Sequence, residues 1–176
     1  PHQADWLLTV RALVAGGTVL LLPQGAFSAA QLWDIVATYK ATRITIVGQP
    51  FAQPMLEVLD ANPGRWDLSN VMMMTSSGAM WARENKLGLI RHMPQVTLID
   101  AFSSSEALGL GSSTMTADAE VATAAFALGP NCALFTEDGR RVEPGSPERG
   151  RVAVSGFLPV GYYKDPAKSA ATFPEL

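Results

Sequence analysis

The sequence has little that would cross-link it or carry it through a membrane. Its 176 residues include one cysteine, Cys132, which excludes an internal disulfide framework. The longest apolar runs, at residues 18–23 and 71–74, are far shorter than the about 20 residues that span a bilayer. No basic segment followed by an apolar one opens the chain. We therefore expect a cytoplasmic protein without a transmembrane segment, in peripheral contact with a membrane at most.

Charge is also sparse, and neither sign dominates. Thirteen Lys and Arg stand against 16 Asp and Glu without a basic block, so no electrostatic surface for nucleic acid is expected. Hydrophobic residues make up 48%, which is enough for a core and argues against disorder. The two histidines, His2 and His92, have no Cys or His partner at ligand spacing, so a zinc site is not expected. The Gly-x-Ser-x-Gly hydrolase motif is absent.

Strand and helix patterns alternate over the first two thirds of the chain. Predicted strands cover residues 18–22, 43–47, 71–75 and 96–101, and predicted helices cover residues 29–40, 49–61 and 81–92. Ser28 is placed to cap the first of these helices, and Asn62-Pro63-Gly64 ends the second. This alternation predicts an α/β fold with a mostly parallel sheet flanked by helices.

The pattern changes after about residue 116. Short strands are predicted at residues 121–128, 133–136, 140–142 and 151–155, with turns between them. We therefore expect two parts, an α/β subdomain over residues 1–116 and an incomplete, small β-rich lobe over residues 117–176.

Three strand-to-turn junctions contain residues suited to ligand binding, and parallel-sheet enzymes bind ligands at the carboxyl ends of strands. Residues 75–79 are small enough for backbone amides to approach a flat or anionic ligand. Residues 100–106 combine an aromatic ring, three hydroxyls and carboxylates, and a carboxylate is a ligand that Mg²⁺ prefers. Residues 150–163 lead through a glycine turn to an aromatic pair. Alone, each also fits an ordinary turn, a serine-rich surface loop or aromatic packing.

In this order, the segments resemble the adenylate-forming superfamily of acyl-CoA synthetases, luciferases and peptide-synthetase adenylation domains. Ser77-Gly78-Ala79 resembles the Gly-Gly-Ala adenine turn, and Phe102-Ser-Ser-Ser-Glu106 resembles the aromatic-Gly-x-Thr-Glu motif. Gly150-Arg151-Val152, Gly161-Tyr162-Tyr163 and Pro166 resemble its Gly-Glu, Gly-Tyr and Pro pattern. The resemblance covers essentially the whole chain and implies part of an acyl-CoA synthetase N-terminal domain.

The resemblance also implies an activity for the full-length enzyme. Such an enzyme activates a carboxylate with ATP to an acyl-adenylate and pyrophosphate, and many then transfer the acyl group to coenzyme A. Residues 71–79 and 100–106 look more like those of acyl-CoA synthetases than those of amino-acid adenylation domains. We therefore expect a fatty acid, ATP and coenzyme A as small-molecule partners, with Mg²⁺ as the metal.

The resemblance implies a set of site residues, one matched motif at a time. The nucleotide-binding residues implied are Ser77, Gly78, Ala79, Asp100, Ala101, Phe102 and Ser105. Phe102 is expected to stack on the adenine, with Asp100 and Ala101 at its polar edge. Ser105, on the α-phosphate, and Glu106, on Mg²⁺, are the expected catalytic residues. Ser103, where the family has glycine, is expected in the substrate pocket.

Several family elements do not occur in this sequence. They are the phosphate-binding loop that ends in lysine, the ribose-binding Asp and the lysine of the C-terminal lid. We therefore expect a central fragment that self-associates, has little ligase activity alone, and lacks N- and C-terminal parts of the same enzyme. Arg151, where the family has glutamate, is a charge reversal that the resemblance does not explain.

Other functions remain open on the sequence. Within the family, the alternatives are a fatty acyl-AMP ligase and an amino-acid adenylation domain. Outside it, the chain would be a non-catalytic nucleotide- or CoA-binding module, or a structural fragment. A lone Rossmann domain is disfavoured because no Gly-x-Gly-x-x-Gly follows the early strand.

Overall fold

The computed structural model describes residues 3–119 and 125–174, with no account of the side chains of residues 3–7. The helices are α1 (Gln3–Val14), α2 (Ala29–Thr38), α3 (Gln49–Ala61), α4 (Arg83–His92) and α5 (Pro166–Thr172). The strands are β1 (Arg43–Ile46), β2 (Met73–Ser77), β3 (Thr97–Phe102), β4 (Gly111–Met115), β5 (Ala127–Leu128), β6 (Cys132–Phe135) and β7 (Arg151–Val154). None of the described helices is long and apolar enough to cross a bilayer.

The chain forms two compact units. The first contains Pro1–Ala101 and Ser112–Phe126, and the second contains Phe102–Gly111 and Ala127–Leu176. Neither unit is one continuous stretch of chain. The boundary between them falls within β3, after Ala101. The expected division into an α/β subdomain over residues 1–116 and a β-rich lobe over residues 117–176 stays a prediction.

The first unit is organised around a mostly parallel sheet with strand order β1-β2-β3-β4. β1 pairs with β2 and β2 with β3, both in parallel, through the registers Arg43↔Met73 and Met73↔Thr97. Parallel neighbours need a crossover, and here the crossovers contain α3 and α4. The predicted α/β class, with helices flanking the sheet, is confirmed.

The core of the first unit joins helices α2 and α3 to this sheet. The Ser28 hydroxyl accepts the N–H of Gln31 at 3.3 Å and caps α2, as predicted. Trp33 of α2 is fully buried, and its indole N–H donates to the carbonyl of Met55 at 3.0 Å. Because of this hydrogen bond, the large ring packs inside the core without leaving its N–H donor unpaired. Met74 of β2 is also fully buried.

In the first unit, one strand predicted from the sequence is wrong and one strand was missed. Residues 18–22 form no strand, and Leu21 is 80% exposed. An apolar run becomes a parallel strand only when its backbone pairs, and no described strand pairs with this run. Conversely, β4 was not predicted, because its buried positions include Gly111 and Ser113 and carry no apolar alternation.

The second unit contains the predicted small β-rich lobe. β6 and β7 pair antiparallel with the register Cys132↔Val154, close to two of the predicted strands. The predicted strand at 140–142 is reduced to a single bridge between Phe135 and Arg141. Of the strand predicted at 121–128, residues 127–128 form β5, residues 125–126 form no strand, and residues 121–124 lie outside the described residues.

Candidate functional site

The carboxyl ends of β2 and β3 place two groups of predicted nucleotide-binding residues side by side. In the parallel register, Ser76 pairs with Asp100 and Ser77 with Ala101. Gly78, with a φ of +81°, turns the chain out of β2, and both it and Ala79 are exposed. The structure thus brings Ser77 and Ala101, 24 residues apart in the chain, to one edge of the sheet.

The turn after β2 is held by the junction between β1 and α3. The N–H of Gly48 donates to the Ser76 hydroxyl at 2.9 Å, and that of Gln49 to the Met80 carbonyl at 2.9 Å. Gly48 has a φ of +59°, and a Cβ there would lie 2.7 Å from the Cβ of Ala79. The predicted adenine turn is therefore packed directly on Gly48. Sequence analysis missed this contact, although a glycine before a helix-opening Gln-Pro pair is a detectable signal.

Asp100 contacts a side chain of α4. Its carboxylate forms an ion pair with the ammonium group of Lys86, and the two side chains are 12% and 6% exposed. The Lys86 ammonium also lies 5.5 Å from the ring centroid of Trp81. Sequence analysis missed Lys86, whose signal is a lysine among the apolar residues of a helix that packs on a sheet. The predicted role of Asp100 at the adenine edge stays a prediction.

The segment after β3 forms a turn in the second unit that is closed by its own serines. The Ser103 hydroxyl accepts the N–H of Gly109 at 3.1 Å, and the Ser104 hydroxyl accepts that of Ala107 at 3.1 Å. The serine that replaces the family's glycine therefore has a structural partner within the turn. Phe102 is 43% exposed at the start of the turn, and Ser105 is exposed.

Glu106 has a phenol as its partner. The Tyr162 O–H donates to Glu106 Oε1 at 2.6 Å, and this bond, followed by a backbone hydrogen bond, lowers the pKa of the Glu106 carboxyl. The same bond raises the pKa of the Tyr162 phenol. The Lys168 ammonium lies 4.1 Å from the centroid of the Tyr162 ring and contributes weakly to keeping Glu106 ionised. Sequence analysis assigned Tyr162 to a motif but not to a contact.

The donor chemistry of Glu106 fits one kind of metal site. Among residues 3–119 and 125–174, no three His, Cys, Asp or Glu side chains lie close enough to enclose an ion. Mg²⁺ differs from zinc or calcium in that it usually takes one or two carboxylates together with phosphate oxygens and water. A single ionised carboxylate on a loop therefore fits a magnesium ion that arrives with a nucleotide.

The predicted site residues fall into two sets, one in each unit. The first unit contains Ser77, Gly78, Ala79, Asp100 and Ala101. The second contains Phe102, Ser103, Ser105 and Glu106. Arg151, on β7, lies 3.7 Å from Glu137, and both side chains are at least 80% exposed, so this pair contributes little to stability.

Comparison with solved structures identifies the class of fold. A long-chain-fatty-acid-CoA ligase from Archaeoglobus fulgidus superposes over 96% of this chain and 35% of its own, with a TM-score of 0.76 and 18% identity. The fold of this chain is therefore that of about a third of this ligase. No family model matches the sequence.

Sequence relatives narrow the class. A medium/long-chain-fatty-acid–CoA/3-oxocholest-4-en-26-oate–CoA ligase of Mycolicibacterium smegmatis is 33% identical over 98% of this chain and 32% of its own length. A 3-oxocholest-4-en-26-oate–CoA ligase of Rhodococcus rhodochrous is 34% identical over 98% of this chain and 31% of its own length. The sequence of this chain is therefore related to part of CoA ligases of the AMP-binding family. It spans about a third of the length of these relatives.

Proposed function

We propose that the protein containing this chain is an ATP-dependent acyl-CoA synthetase and that this chain supplies part of its nucleotide site. The observation that carries the proposal is the pairing of Ser77 with Ala101 at the carboxyl ends of β2 and β3. Ligands of parallel-sheet enzymes bind at this edge, where the exposed Gly78 and Ala79 leave the backbone accessible.

In the proposed reaction, a carboxylate oxygen of the acid attacks the α-phosphorus of ATP. The bond from that phosphorus to the bridging oxygen breaks, and pyrophosphate leaves. The coenzyme A thiol, losing its proton, then attacks the acyl carbonyl carbon, and AMP leaves with the electron pair of the broken C–O bond. The product is a thioester.

The roles proposed for this chain are binding and orientation. The adenine is bordered by Ser77, Gly78 and Ala79. Phe102 stacks on its face, because an aromatic ring packs favourably against the flat surface of a base. Ser105 donates a hydrogen bond to the α-phosphate. Fixing both reactants in this way removes much of the entropic part of the barrier.

Glu106 is the residue that we propose to hold Mg²⁺. When bound, Mg²⁺ supplies positive charge that offsets the repulsion between an attacking carboxylate and the phosphate oxygens. The hydrogen bond from Tyr162 supports this assignment, because it lowers the pKa of the Glu106 carboxyl and favours the ionised form that a cation needs.

The proposed substrate is a hydrophobic carboxylic acid. The names of the two sequence relatives include medium- and long-chain fatty acids and a steroid with a carboxylate side chain. We propose a fatty acid as the main substrate, and the steroid acid as a second candidate on the strength of those names. We further propose a cytoplasmic enzyme whose remaining N- and C-terminal parts complete the site, so that this chain alone has little activity.

The test is an acid panel assayed with a protein of the relatives' length that contains this chain. Medium- and long-chain fatty acids, the steroid acid and amino acids are each supplied with ATP, Mg²⁺ and coenzyme A. The expected result is AMP and acyl-CoA formation with a fatty acid or the steroid acid. A preference for amino acids would overturn the substrate proposal. AMP binding without turnover of any acid would favour a non-catalytic module.

A further inference from the structure

Tyr162 is held in place by the start of α5. Its backbone N–H donates to the Ser169 hydroxyl at 2.8 Å, and that hydroxyl donates to the carbonyl of Asp165 at 2.7 Å. The preceding residue, Gly161, has a φ of +139°, and a Cβ there would lie 2.8 Å from Ser169 Oγ. The backbone at Tyr162 is therefore fixed by a hydroxyl that only glycine lets approach so closely.

The ring of Tyr162 is fixed as well. It packs against Phe173 with ring centroids 5.8 Å apart, and the Lys168 ammonium lies over its face at 4.1 Å. With these contacts to backbone and ring, the phenolic oxygen lies 2.6 Å from Glu106 Oε1, and the phenol is also hydrogen-bonded to the Thr172 side chain. All of these contacts lie within the second unit.

A glutamate on a loop rotates about three side-chain bonds, and ordering it for a ligand costs entropy. A hydrogen bond to one carboxylate oxygen removes much of this freedom before the ligand arrives. Carboxylates that bind metals are themselves commonly hydrogen-bonded, and loss of such a partner typically weakens metal binding or activity about 10- to 100-fold.

We propose that Tyr162 is a positioning residue for Glu106 and sets the affinity of the site for the Mg²⁺ that accompanies the nucleotide. This inference rests on the metal role proposed for Glu106. Tyr163, the next residue, offers a matched comparison, because it is 87% exposed and its ring contacts only the Lys164 ammonium, at 5.2 Å, among the ring interactions of the described residues.

The test compares Tyr162→Phe, Tyr163→Phe and Glu106→Gln in the full-length protein. Mn²⁺, as a spectroscopic substitute, is titrated into the ATP complex and its binding followed by electron paramagnetic resonance. The Mg²⁺ concentration for half-maximal adenylate formation is measured in parallel. We expect Tyr162→Phe to weaken metal binding about tenfold or more, with the rate restored by excess Mg²⁺, and Tyr163→Phe to match wild type.

Thermal unfolding checks that the phenylalanine variants keep their fold. Ser169→Ala, which frees the backbone of Tyr162 while keeping both tyrosines, should shift metal binding in the same direction. Equal metal affinity in Tyr162→Phe and wild type, with Glu106→Gln impaired, would overturn this inference alone. Unchanged metal binding in Glu106→Gln would overturn the proposed metal role and this inference with it.

Discussion

Lys86 of α4 and Asp100 of β3 form an ion pair inside the first unit, with side chains 6% and 12% exposed. The pair links α4 to β3 at Asp100. This position is two residues before Phe102, which is predicted to stack on the adenine. Buried ion pairs add little net stability, because desolvation of both charges offsets their attraction. We infer that this pair serves mainly to fix the carboxyl end of β3.

The first prediction concerns this pair. Lys86→Met should destabilise the chain by about 3–5 kcal/mol, because it leaves the Asp100 carboxylate buried without a partner. The double variant Lys86→Met with Asp100→Leu should recover most of the loss. Urea unfolding measures both, and Arg151→Met, at a highly exposed pair, should show no measurable change. A single variant as stable as wild type would contradict the burial of the pair.

The second prediction concerns the packing of the adenine turn on the β1–α3 junction. Gly48→Ala should destabilise the chain clearly, because the new Cβ would sit 2.7 Å from three atoms of Ala79 and Met80 and the residue has a positive φ. Gly64→Ala is the control, with a φ of +73° and open space around the Cβ. In thermal unfolding, the melting temperature of Gly48→Ala should be well below that of Gly64→Ala. Equal effects would mean that backbone strain alone matters and that the close approach does not.

The third prediction concerns stacking on the adenine. Calorimetry with AMP should detect weak binding to the chain, and Phe102→Ala should weaken it several-fold, since aromatic stacking contributes about 1–3 kcal/mol per base. Phe157→Ala is the control, because Phe157 is a fully exposed phenylalanine of the same unit. If both variants bind AMP as wild type does, the adenine does not lie on Phe102.

The fourth prediction is self-association of the isolated chain. Large apolar side chains are strongly exposed, among them Leu21 at 80%, Phe157 at 111% and Val160 at 108%. Light scattering should show oligomers that grow with concentration, and a Phe157→Ser, Val160→Ser variant should reduce them. A monomer at high concentration would count against this expectation.

Regular periodicity made much of the fold predictable. The segments that became α2, β1, α3 and β3 have clear apolar periods and recognisable ends, such as Ser28 before α2. Residues 18–22 have a strand pattern too, but their pairing depends on a neighbour that a local pattern cannot reveal. β4 was missed for the opposite reason, because two of its three buried positions are Gly111 and Ser113 and only the third, Met115, is apolar.

The sequence predicted the site residues at the end of each strand but not the contacts that hold them. Family motifs pointed to Ser77, Phe102 and Glu106, but their contacts come from residues far away in the chain. Gly48 lies 28 residues before Ser76, and Tyr162 lies 56 residues after Glu106. Such partners follow from strand order and backbone conformation, which a single sequence does not specify.

The measurement that tests the central claim most directly is detection of an acyl-adenylate by mass spectrometry. A protein of the relatives' length that contains this chain is incubated with a long-chain fatty acid, ATP and Mg²⁺ but no coenzyme A. The account predicts that the acyl-adenylate forms with the wild-type protein and falls strongly with Glu106→Gln. Absence of an acyl-adenylate with the wild-type protein across the acid panel would contradict it.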